Sequence, residues 1–128
     1  MDLLTINVPG MPGYQLHHLG RSFTTKEALA ALHGLGRKSP GMDALVELRK
    51  KYPLYELPEV AAHLKEVGHS GLSVLSALEA DYEWCGPDGG RMVGCFSSYP
   101  GGCLLHLCYR GHEWDGYCWL LSVGNLQA

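Results

Sequence analysis

Residues 81–123, DYEWCGPDGGRMVGCFSSYPGGCLLHLCYRGHEWDGYCWLLSV, decide the fold. Four short apolar runs in this stretch are separated by turn-forming residues: Gly86-Pro87-Asp88-Gly89-Gly90, Tyr99-Pro100-Gly101-Gly102 and Gly111-His112-Glu113-Trp114-Asp115-Gly116. Proline presets φ and glycine reaches positive φ, which is what a reversing backbone requires. The spacing therefore predicts an antiparallel β-meander of about four strands over residues 81–124. Residues 103–109 and 117–123 are apolar at odd and even positions alike, the pattern of a strand buried on both faces.

Working back from the meander, residues 70–80 read as a fourth short helix capped by Ser70, with Leu72, Val74, Leu75 and Leu78 toward the core. Leu57-Pro58-Glu59 opens a third, whose Val60, Ala61, Leu64 and Val67 face one way until Gly68. Ser39-Pro40 starts a second, with Met42, Leu45, Val46, Arg49 and Tyr52 on one stripe and Pro53 as its stop. Thr24-Thr25-Lys26-Glu27 has the form of a capping box, so a first helix follows it, with Ala28, Leu29, Ala31, Leu32 and Leu35 as its apolar stripe and Gly34 and Gly36 as its end. Residues 3–8 form a short strand closed by Pro9-Gly10-Met11-Pro12-Gly13, and residues 14–23 fit either a second short strand or an ordered loop.

The order is segregated rather than alternating, which gives an α+β class and disfavours a parallel α/β fold. The expected architecture is one domain, residues 1–128: an N-terminal short strand and about four short helices, residues 24–80, packed on one face of the C-terminal meander. Four short helices leave part of the other face uncovered, so a homodimer through the sheet is expected.

Length and composition bound the rest. With 128 residues, 46% of them hydrophobic, the chain is long enough for one core, and no apolar run approaches the length that crosses a bilayer. Residues 1–80 carry eight basic and eight acidic side chains, whereas residues 81–128 carry only Arg91 and Arg110 against five acids. A protein that wraps nucleic acid needs clustered Lys and Arg, so nucleic acid is disfavoured as the main partner. Five cysteines, an odd number, and no secretion signal at the start of the sequence point to a reducing, cytoplasmic setting.

Cys103, His106, Cys108, His112 and Cys118 are the densest reactive cluster, but strand alternation splits them between two faces and no two cysteines are spaced as a zinc knuckle. Cys95 could approach His106 across a hairpin and Cys118 could approach His112, yet burial among Leu, Trp, Val and Phe raises a thiol pKa and makes it inert. No catalytic residue, metal ligand or cofactor is assigned, and no glycine-rich stretch has the spacing of a phosphate-binding loop. His17-His18 and His69 read as loop histidines without a relay partner nearby in sequence.

Surface recognition fares better. The connection bearing His112, Glu113, Trp114 and Asp115 places an indole, an imidazole and two carboxylates on one loop, and Tyr99, Tyr109 and Tyr117 lie on or beside the turns. Arg49, Lys50 and Lys51, with Arg37 and Lys38, make a second candidate, a basic patch around the second helix. These residues point to a small cytoplasmic protein-binding module, an inhibitor or adaptor of the counter-defence type that acts by occluding a protein partner. The alternative is a small enzyme dependent on a thiol or histidine of the sheet cluster.

Overall fold

Five of the six residues in Cys118–Val123 are buried, including Trp119, Leu120 and Leu121 on alternating faces. A strand of this kind belongs in the middle of a sheet, and that is where it lies. The computed structural model describes residues 4–8, 10–51, 62, 65, 66, 72–76, 78, 84, 85, 91–99, 102–109, 113, 114 and 118–124. In chain order the elements are β1 (Leu4–Asn7), β2 (Tyr14–His18), α1 (Thr25–Gly34), α2 (Met42–Lys51), β3 (Leu72–Ser76), β4 (Trp84–Cys85), β5 (Arg91–Tyr99), β6 (Gly102–Tyr109) and β7 (Cys118–Val123).

The strands form one mixed sheet, and the class is α+β. β1 and β2 make an antiparallel hairpin, and β7 pairs antiparallel with β2 on one side and parallel with β3 on the other. β5 pairs antiparallel with β3, β4 and β6. Met92 is opposed by both Trp84 and Tyr109, so β4 and β6 lie on opposite edges of β5, and β4 shares the edge taken by β3. The spatial order is thus β1, β2, β7, then β3 with β4, then β5 and β6. The turn joining β1 to β2 is held by Val8 N–H to Tyr14 O (3.1 Å) and Tyr14 N–H to Met11 O (3.1 Å). Gly10 and Gly13 within it have φ of 79° and 84°, where a side chain would be strained.

Each face of the sheet carries its own core. Leu16, Val74, Trp119 and Leu121 pack with Ile6, Val8 and Met11 under Ala44, Leu45 and Leu48 of α2. Leu75, Val93, Cys95, Cys118 and Leu120 pack on the opposite face with Phe23, Trp114 and the α1 residues Ala28 and Leu32. Removing a large apolar side chain of this sort from water is worth about 1.5–3 kcal/mol, far more than the helical preference of ten residues. The helices are therefore held by their buried faces. α1 also has the complete capping box, with Glu27 N–H donating to Thr24 Oγ1 (3.2 Å) and Thr24 N–H to Glu27 Oε1 (2.9 Å). The bond from the Thr24 amide holds the Glu27 carboxyl below its ordinary pKa.

Several sequence expectations change. The helices do not share one face: α1 and α2 cover opposite faces, because strands apolar on both sides need cover on both. That removes, at the central strands, the uncovered face from which a homodimer was expected. The segment expected as the fourth helix contains β3 instead; Leu-Ser-Val-Leu-Ser suits either period, and pairing with both β5 and β7 decides it. The expected third helix, with Ser70, falls largely outside the described residues, of which Ala62, Lys65 and Glu66 are helical and exposed.

The meander is continuous only through β4, β5 and β6. β7 leaves it to pair with β2 and β3, since at the end of a meander its apolar faces would meet solvent. Residues 86–90, 100–101, 110–112 and 115–117, where most of the expected turns fall, lie outside the described residues. In α2 the buried stripe is Ala44, Leu45 and Leu48, with Met42 packed against it; Val46 and Arg49 face outward. Ser39 lies three residues before the start of α2, and its Oγ accepts from Leu78 N–H at 3.0 Å, tying the segment before α2 to the one after β3.

Candidate functional site

Two features combine reactive or adhesive groups: a buried polar chain centred on His17 and the outer edge of the sheet at β6. The polar chain begins with the alternation of β2. Leu16 points into the α2 face, so His17 points to the α1 face, opposite Leu120 and Thr5. His17 is fully buried, and its ring is bonded at both nitrogens, Nδ1 to Thr5 Oγ1 (2.9 Å) and Nε2 to Ser122 Oγ (2.6 Å). Arg37 Nε donates to the same Ser122 Oγ at 2.6 Å, and its Nη2 donates to the carbonyl of Gly13 at 2.5 Å.

Arg37 can only donate, so Ser122 Oγ accepts from it and keeps a hydrogen and a second lone pair for His17 Nε2; the Thr5 hydroxyl can serve Nδ1 in either role, so either neutral tautomer of the ring completes the chain. Burial, and secondarily the Arg37 charge, lower its pKa to about 4. A serine hydroxyl aimed at a neutral imidazole, itself oriented by a third group, has the arrangement of an activated nucleophile. Here Ser122 and His17 are both 0% exposed and the Arg37 guanidinium lies against the serine. The chain acts as a clasp that joins β1, β2, β7 and the segment at Arg37. His18, on the other face, packs its ring against Trp119, with centroids 4.9 Å apart and the ring planes tilted by 37°.

The sequence leaves residues 14–23 between a strand and a loop, and the structure makes Tyr14–His18 a strand; His17 and His18, expected as loop residues, lie in it, and Arg37 is held by Ser122 instead of joining a surface patch. The one available signal was a polar residue at the buried phase of an alternating strand, which must find partners.

The residues expected to bind are dispersed. Trp114 corrects the reading of its loop: the residue is 4% exposed, its indole N–H donates to Thr25 Oγ1 (3.3 Å), and its backbone exchanges hydrogen bonds with Phe23. An indole that completes the core beneath α1 cannot anchor a partner. Glu113 beside it is exposed, while His112, Asp115 and Tyr117 lie outside the described residues. Tyr99 and Tyr109 are the last residues of β5 and β6, opposed by Gly102 and Met92. Arg49 and Lys50 are exposed on α2 and Lys51 ends that helix, but Arg37 does not join them, being held by Ser122 and Gly13.

The register sets Cys95 opposite His106, as the hairpin spacing suggested, and Cys95 and Cys118 are both buried. Among the described residues, no group of three or more His, Cys, Asp or Glu is placed to hold an ion, and no helix is long and apolar enough to cross a membrane.

The outer edge of β6 is the second feature. β5 occupies its other side over all eight residues, from Met92↔Tyr109 to Tyr99↔Gly102. Among the described residues no strand pairs with the outer side. Gly-Cys-Leu-Leu-His-Leu-Cys-Tyr contains no Lys, Arg, Asp, Glu or Pro, the residues that ordinarily block an edge. The opposite edge of the sheet, β1, is four residues long, exposes Leu4, Thr5 and Asn7, and is followed by Pro9 and Gly10. No family model, curated protein or solved structure matches the chain.

Proposed function

We propose that this chain is a small protein-binding module, an adaptor or inhibitor, that receives an extended strand of its partner on the outer edge of β6. The observation that carries this reading is the composition and length of that edge: eight residues without a charge or a proline, unpaired on one side among the described residues. Strand addition draws its affinity from main-chain hydrogen bonds, which such an edge offers in a row. The hydroxyl and imidazole that could perform chemistry are closed off, which weighs toward binding rather than turnover.

The test compares the full chain with Leu104→Lys, a change opposite the half-buried Ser97 that puts a charge on the edge strand. Both are used to capture proteins from the native cells. The reading expects a stoichiometric protein, the chain itself or another, on the first and not on the second. Equal recovery on both, or none on either, contradicts it.

A further inference from the structure

We propose that acid opens this sheet at one seam: the hairpin of β1 and β2 swings away from β7 when His17 takes up a proton, while the strands beyond β7 stay paired.

The topology isolates the moving part. Among the described residues β1 pairs only with β2, and β2 joins the rest of the sheet through β7 alone, from Tyr14↔Val123 to His18↔Trp119. One row of ladder bonds therefore separates the hairpin from the other strands. After β2 the chain runs through Gly20, Arg21 and Ser22, all exposed, before Phe23 is pinned by two backbone bonds to Trp114. Gly20 has a φ of 77° and open space where a Cβ would stand, so a residue suited to a hinge lies between the hairpin and its anchor.

The seam also holds a proton-sensitive contact. His17 reaches across it to Ser122 and within the hairpin to Thr5, and Ser122 accepts from Arg37 as well. A protonated imidazole donates from both nitrogens. Imidazolium and guanidinium would then point at one buried oxygen, where two positive charges repel strongly. The neighbours supply no counter-charge: Thr5 from β1, Leu120 and Ser122 from β7, Gln15 on β2, Leu19 after it, and Ala28 and Leu32 of α1 are all uncharged. α1 turns Lys26, Glu27 and His33 to solvent, which leaves Arg37, among the described residues, as the charge acting on the ring.

Opening relieves that conflict because the two cations belong to different bodies. His17 leaves with the hairpin, whereas Arg37 stays with β7, since Lys38 N–H and C=O are both bonded to the backbone of Val123. At neutral pH the closed form is held by Ile6, Val8, Met11 and Leu16, which pack with Trp119 and Leu121 under α2. Acid shifts this balance, and each opening uncovers the β2-facing edge of β7, whose six residues carry no charge.

The experiment is amide hydrogen exchange of the wild-type chain and of His17→Gln, followed by NMR, with each rate divided by that of an unstructured peptide at the same pH. The amides bonded between β2 and β7 should exchange together, through an opening more frequent than the one that frees the amides between β3 and β5. From pH 7.5 to pH 5 that opening should rise about 30-fold more in the wild type than in His17→Gln. If His17→Gln fails to fold, Arg37→Gln takes its place, and with one of the two charges gone its rise should be smaller than that of the wild type. Seam amides as protected as those between β3 and β5 would show that the hairpin leaves only when the whole sheet does, and overturn the proposal. An equal rise in wild type and variant, or no rise in the wild type, overturns it too.

Discussion

His17 and Ser122, 105 positions apart in the chain, are joined by a 2.6 Å hydrogen bond inside the sheet, and Arg37 donates to the same serine oxygen. The bond closes the N-terminal hairpin onto the last strand. It also makes the protonation state of one imidazole a condition of the fold.

Acid should therefore loosen the molecule at a defined place. His17 has its pKa lowered from 6.5 to about 4 in the folded chain, so between those values the unfolded chain binds a proton that the folded chain refuses. Stability is flat in this contribution above the unfolded value and falls as pH drops toward 4. The slope cannot exceed about 1.4 kcal/mol per pH unit, nor the total about 3.4 kcal/mol. Urea unfolding at successive pH values measures it, and His17→Gln should lack that limb.

Arg37 sets where the acid limb ends. Its charge is the second cause of the lowered His17 pKa, so Arg37→Gln should raise that pKa and shorten the limb, which still begins at the unfolded value and loses less stability in all. An NMR titration of the His17 ring reads this directly. Ser122→Ala leaves both Arg37 and His17 without their shared partner and should cost about 1–3 kcal/mol.

Gly94 marks where α2 meets the sheet. A Cβ there would run into Met42 Sδ and lie 2.9 Å from Leu45 Cδ1. Gly94→Ala should destabilise the protein by about 1–3 kcal/mol through overpacking, and Met42→Ala should recover part of that loss in the double variant. Denaturant midpoints of the four proteins in the cycle check the coupling.

Trp114 separates a core role from a surface one. Buried beneath α1, it should cost about 3–5 kcal/mol when replaced by alanine, whereas an exposed loop tryptophan would cost little. Trp114→Phe, which loses the bond to Thr25, should cost less. Thermal unfolding of both variants distinguishes the two roles.

What the sequence disclosed follows the range of the forces involved. The capping box from Thr24 to Glu27 and the hairpin of β5 and β6 rest on residues within a few positions of each other, and both are present. The five residues of β3 fit a helical or an extended period equally well, so the sequence alone does not separate the two. The pairing of β3 at Ser73–Leu75 with Cys118–Leu120, some 45 positions away, is what decides. The same holds for the site. The uncharged run from Gly102 to Tyr109 could be read off directly, but that it forms an edge depends on β7 leaving the meander. The His17 clasp needs Thr5, Arg37 and Ser122 together, and nothing in the spacing of those four residues announces that they meet.

The most direct measurement is amide hydrogen exchange of the wild-type chain, resolved strand by strand, at low concentration and again when bound to its partner or to itself. Outward-facing amides of β6 should slow on association while those of β1 stay unchanged. Exchange at β6 that is already slow in the dilute chain, or that does not respond when a complex forms, would contradict an adhesive β6 edge.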